Sequence, residues 1–206
     1  IIFINILSCI INMPRHAISP NFFQEPERGM EIYEEVQQVV AYDPNLIETK
    51  LMIHKDRVNG WFLDVAERLK EDNEAGFVIL MICLAHLEGM AQYRREQITN
   101  IGESSQILKE ELKRIFTIPS FHSRAIDILV EDARHGLFHD CMTRRRVFLS
   151  GQYLSPIIWD EVGEVVLINP HSFLDAIRAD FERFILFLAD PENIEERRKF
   201  QTIFDR

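Results

Sequence analysis

Residues 131–146 read EDARHGLFHDCMTRRR and gather the side chains best suited to chemistry: Arg134, His135, His139 and Asp140, then Arg144, Arg145 and Arg146. A guanidinium grips an oxyanion through paired N–H donors and does not lose its proton. An imidazole titrates close enough to neutrality to accept a proton and return it. From 134 to 146 there are four arginines and one aspartate, a local charge of +3 (4 − 1). Such an island can steer and seat a phosphate backbone. Two plainer readings stand beside it: 144–146 as a solvated turn, or as arginines paired with nearby acidic helices. His135 and His139, four apart on a helix, share a face and suit a metal ion, but no further ligands stand at matching spacing.

Four residues separate Arg134 from His139, and the one directly after the arginine, His135, is polar. This Arg-(polar)-x3-His pattern near the end of an amphipathic helix resembles the signature of the HEPN superfamily. Many HEPN proteins are metal-independent ribonucleases, and others only bind RNA or a protein partner. The resemblance spans residues 45–188 in architecture and rests on Arg134, His135 and His139 in specific residues. It implies an all-α, HEPN-like bundle in which Arg134 contacts the scissile phosphate and His139 takes the proton of the ribose 2′-hydroxyl. No metal or cofactor is implied. RNA is the implied substrate, with a toxin–antitoxin or defence effector as one setting and an antitoxin or nucleotidyltransferase as its partner. A non-catalytic module binding RNA or protein through the same groove is the alternative.

Helical geometry sets a problem for that pair. Five residues at about 100° each leave Arg134 and His139 about 140° apart on an uninterrupted α-helix. Gly136 can loosen the helix, or the site can be assembled across a homodimer, as the family does with paired motifs facing one cleft. A homodimer is expected. His135, Asp140 and Glu88 are the expected supporting residues. Glu88 follows the apolar run FVILMICLAHL at 77–87, so its carboxylate lies near the core and needs a partner. Either it makes a structural bond, or it turns toward Arg134 or His139 and fixes the orientation. Arg144, Arg145 and Arg146 are the expected RNA contacts.

The elements that must position these groups follow from periodicity. Residues 27–42 carry Met30, Tyr33, Val36, Val39 and Val40 at spacings of three and four, which predicts an amphipathic helix. A second helical stretch is predicted over 45–72, with Gly60 marking a kink or a close crossing. The 77–87 run has no polar face and should be the central buried helix, continuing to Arg95. Ser104 or Ser105 can cap a helix over 106–116, and Ser120 or Ser123 the one after Pro119. Ile126, Leu129, Val130, Ala133 and Leu137 settle the buried face of that helix. The β-branched run at 164–169 and the apolar 157–159, with turn material between, predict a small β-hairpin before the C-terminal helices at 171–188 and 192–204.

Composition bounds the rest. At 206 residues the chain suits one domain with a sizeable core, read here as an irregular leader over 1–26 and a helical domain over 27–206. A formal charge of −10 argues against indiscriminate nucleic-acid binding, so any such role depends on a local basic patch. Cys9, Cys83 and Cys141 lie far apart without CxxC spacing, which fits a reducing cytoplasm. Residues 1–12 are apolar at nine positions and uncharged, too short to span a bilayer and without the positive lead of a secretory signal. They read as sequence upstream of the native start near Met13, with a truncated membrane or signal segment as the alternative, and no membrane partner is expected.

Overall fold

The computed structural model describes residues 16–25, 31–34, 41–98, 102–116 and 123–206. The chain divides into two compact units, 1–61 and 62–206. In the first, strands β1 (His16–Ala17), β2 (Phe22–Glu25), β3 (Glu31–Glu34) and β4 (Ala41–Tyr42) form an antiparallel sheet in chain order. Phe22 lies opposite Glu34 and Gln24 opposite Ile32. Helix α1 (Ile47–Val58) follows, buries Leu51, Ile53 and Val58, and runs into a wide π-type turn at Asn59–Leu63. Asp56 fastens the turn before β2, accepting from the Ser19 hydroxyl at 2.6 Å and from the Asn21 backbone N–H at 2.8 Å. Gly60 sits where a Cβ would stand 2.3 Å from the Pro20 ring, so only glycine allows that approach.

The second unit is built on α3 (Gly76–Arg95), preceded by α2 (Asp64–Arg68) and a 3₁₀ turn at Leu69–Glu71. Helices α4 (Ser104–Ile115), α6 (Pro170–Ala189) and α7 (Ile194–Phe204) all pack on α3. Ile79, Leu80, Cys83, Leu84, Leu87 and Met90 form its buried stripe. The helix is not sealed all round, because Phe77 and Val78 are 40% and 43% exposed at its start. It is the one described helix long and apolar enough to cross a membrane by length and composition, and it is the core helix of this unit. Helix α5 (Ser123–Ile128) continues into two π-type turns, Leu129–Arg134 and Gly136–Asp140. Ile126, Leu129, Val130, Ala133 and Leu137 are all buried along it.

A three-stranded sheet follows in the chain and packs on α5 and on the Leu129–Arg134 turn. Strands β6 (Ile157–Asp160) and β7 (Val165–Ile168) form the expected hairpin, and Asp160 accepts the Val162 N–H across its turn. Strand β5 (Val147–Leu149) adds in parallel on the other side of β7, giving the order β5-β7-β6. Asn169 then caps α6, accepting from the N–H groups of His171 and Ser172.

The architecture is therefore mixed α and β, which corrects the all-α expectation. The helix expected over 27–42 is replaced by β3 and β4, and the expected leader over 1–26 contains β1 and β2. The physical reason is pairing: Phe22 and Phe23 lie in a strand to which Ile32 and Tyr33 can bond, and valine- and tyrosine-rich sequence suits a ladder as well as a helix. Met30, Val36, Val39 and Val40, the 1–12 run, and Pro119 with Ser120 lie outside the described residues.

Candidate functional site

The π-type turns change the geometry of the Arg134–His139 pair. The backbone N–H of His135 reaches the Val130 carbonyl and that of Cys141 reaches Gly136, so each bond spans five residues rather than four. In such a turn the residue five positions on comes round nearly over the first, as the fourth does in an α-helix. Arg134 ends the first of these turns and His139 lies in the second, so the angular gap of an ordinary helix is narrowed. Cys141, at φ 58°, ends the segment in the left-handed region. Gly136 permits the return path: a Cβ there would stand 2.4 Å from the Met142 carbonyl oxygen.

Arg134 is held from three sides. Its Nε donates to Glu88 Oε1 at 2.7 Å, and its Nη2 donates to Glu88 Oε2 and to the Ser104 hydroxyl, each at 3.2 Å. Its guanidinium carbon lies 5.6 Å from the Phe138 ring centre. Nη1 donates to none of the described residues. The ion pair is only partly buried, with about a fifth of each side chain exposed. Ser104 and Ser105, expected as helix caps, do not cap α4. Ser105 instead places its hydroxyl 3.1 Å from His135 Nε2. Burial, followed by the charge of Arg134, holds His135 below the ordinary histidine value. The His135 and His139 rings meet edge to face at 6.1 Å, with His139 exposed. Among the described residues no group of three histidine, cysteine or carboxylate side chains gathers to hold a metal.

The arginine triplet is largely paired. Arg144 donates to Asp140 at 2.8 Å. Arg146 binds Asp132 through Nε at 2.7 Å and Nη2 at 3.0 Å, and reaches Glu131 at 3.3 Å. Arg145 alone of the three has no carboxylate partner among the described residues. Residues 134–146 carry +3, but with their carboxylate partners Glu88, Glu131 and Asp132 included the cluster's charge is 0 (4 − 4). Asp140 therefore acts on Arg144. Alongside the triplet lies an open cavity of about 930 Å³.

A second arginine cluster escaped the sequence reading. Arg94 on α3 donates to Glu111 on α4 and to Asp180 on α6, both at 2.7 Å. Arg114 binds Asp180 at 2.6 and 2.7 Å and Glu111 at 2.8 and 3.0 Å. Both carboxylates are buried, at 4% and 5% exposure. Burial pushes the Asp180 carboxyl up, but the bonds and charges of Arg114 and Arg94 outweigh it and hold it below the usual range. Nearby His86, edge-on to Phe181 at 5.4 Å, is pushed down to about 4 by burial and then by Arg94.

Compared with known proteins, the chain matches no family model, no curated protein and no solved structure.

Proposed function

We propose that this protein is a metal-independent RNA endonuclease of HEPN type. The observation that carries the reading is the gripped Arg134, with Nη1 open, one π-type turn from an exposed His139. Glu88 and Ser104 take the other donors and fix the plane of the guanidinium, as preorganised anion stabilisation requires. His139 takes the proton of a ribose 2′-hydroxyl, and that oxygen attacks the adjacent phosphorus. Arg134 Nη1 meets the charge that builds on the non-bridging oxygens. The bond to the 5′-oxygen breaks, that oxygen takes a proton from solvent, and the products are a 2′,3′-cyclic phosphate and a 5′-hydroxyl. Ser105 orients His135, whose ring stands beside that of His139. A cytoplasmic location and two-fold assembly belong to the same reading, with an antitoxin or nucleotidyltransferase as partner. The π-type register weakens the angular motive for a composite site, so the dimer rests mainly on the family resemblance.

A cleavage assay tests this. His139→Ala should lower RNA cleavage by about 10²–10⁴ while leaving RNA affinity intact. Arg134→Ala should lose cleavage and some affinity, since it serves ground state and transition state alike. EDTA should have no effect, and RNA with a 2′-deoxy at the cut should resist. The pairing of Arg144 and Arg146 with carboxylates favours a second reading, a non-catalytic module, because it leaves few cations for a long phosphate backbone. Wild type that binds RNA or a protein without cutting would support that reading over the first.

A further inference from the structure

The cavity beside the arginine triplet has a composition that the cleavage chemistry does not use. Its volume, about 930 Å³, lies in the range of small-molecule sites. Phe77, Met142, Phe148 and Tyr153 supply apolar and aromatic walls. Phe77 and Phe148 are 40% and 50% exposed, so flat ring surface stands open to solvent rather than serving the core. The polar rim is Arg144, Arg145 and Arg146 with Asp132 and Asp140. Arg144 pairs with Asp140, and Arg146 with Asp132 and with Glu131 beyond the rim, leaving Arg145 the one rim arginine without a carboxylate partner among the described residues.

That charge count limits the ligand. A polyanion lying along the triplet would need several uncompensated cations. One guanidinium without a carboxylate partner among the described residues, with the Nη donors of Arg144 beside it, suits one multi-oxygen anion such as a phosphate group. Aromatic walls suit one flat ring system, because any nucleobase offers a π face for stacking. We infer that the cavity is a single-nucleotide site, taking one phosphate on Arg145 and one base against Phe148 and Phe77. The nucleotide is either a free nucleoside monophosphate or one unit of an RNA strand. The site does not depend on the cleavage chemistry.

Calorimetric titration with AMP as the probe tests the assignment. Adenosine and inorganic phosphate, each carrying half of the ligand, should bind at least about tenfold more weakly than AMP. Arg145→Ala and Phe148→Leu should each weaken AMP about tenfold; both residues are exposed, and leucine keeps the apolar bulk while removing the ring face. His139→Ala should bind AMP like wild type, so failure of cleavage and failure of this site are read separately. An uncleavable 2′-deoxy oligonucleotide that displaces AMP identifies a strand nucleotide as the natural occupant. Failure to displace identifies a free mononucleotide, and either result keeps the site. AMP that binds no better than phosphate, or that is indifferent to both substitutions, would overturn it.

Discussion

Two clusters in the larger unit use the same chemistry to opposite ends. Arg94, Glu111, Arg114 and Asp180, drawn from three helices, form a closed set, with both carboxylates buried and shared between two guanidiniums. Arg134 and Glu88 form an open set, part-exposed, with one nitrogen of the guanidinium left without a described partner. Buried carboxylates shared in this way hold their guanidiniums in place, and removing one strands charge in low dielectric. An open set costs little to disturb and keeps a donor aimed outward. The difference separates a cluster that joins helices from one that can meet a substrate.

The largest effect should come from breaking the closed set. Asp180→Asn should cost about 3–5 kcal/mol, because two guanidiniums lose their shared counter-charge in the interior. Urea unfolding would measure it, with a fall in Tm of roughly 10 °C alongside. A loss below about 1 kcal/mol would erase the distinction between the clusters.

Acid should act on the same place. His86 sits at about 4 in the folded chain and near 6.5 when unfolded, so above pH 6.5 it contributes nothing. Between pH 6.5 and 4 the unfolded chain binds the proton and the folded one does not. Stability should therefore fall as pH drops through that window, by on the order of 3 kcal/mol. Asp180, held below its ordinary value, adds a loss in the same direction at lower pH. In His86→Gln the fall across pH 6.5–4 should shrink; an unchanged slope would assign it to other groups.

Smaller effects on stability belong to the open set. Glu88→Gln should change unfolding free energy by about 1 kcal/mol or less, the range of part-exposed pairs, while cleavage drops by more than about tenfold as Arg134 loses its orientation. If stability fell as far as in Asp180→Asn, the Arg134 pair would be structural as well. Smallest of all, Arg144→Ala should shift stability by no more than about 0.5 kcal/mol, since that pair is nearly half exposed on both sides. Unfolding curves of the two variants, run together, place both on one scale.

Parts of this arrangement were legible in the residues. The apolar stripe from Ile126 to Leu137 fixes a buried face whichever helical register the backbone takes, because its members lie three and four apart. The register itself was not legible: nothing in residues 129–140 except Gly136 marks a five-residue hydrogen-bond span. Three- and four-residue spacings of valine and tyrosine over 27–42 fit a helix until a partner strand is known, and β3 finds that partner in β2, the strand just before it. The closed cluster did leave a trace. Asp180 falls in the apolar stripe of α6, three after Ile177 and four before Phe184, and Glu111 falls three after Leu108. Carboxylates in apolar stripes demand buried cations. Ser104 and Ser105 gave no comparable sign, since serines at a helix start read as caps.

The wide turns at 129–140 carry a consequence for how this segment tolerates changes of length. A substitution alters one side chain, but deleting one residue from a five-residue span would let the backbone close as an ordinary α-helix. The residue five positions on would become the fourth on and stay over the first, so everything downstream would keep its facing with no change of partner. The motif is thus written in backbone register as much as in residue type. A chain of the same length and the same residues whose segment closed as an ordinary α-helix would instead leave His139 about 140° from Arg134, and would present a different face to any partner.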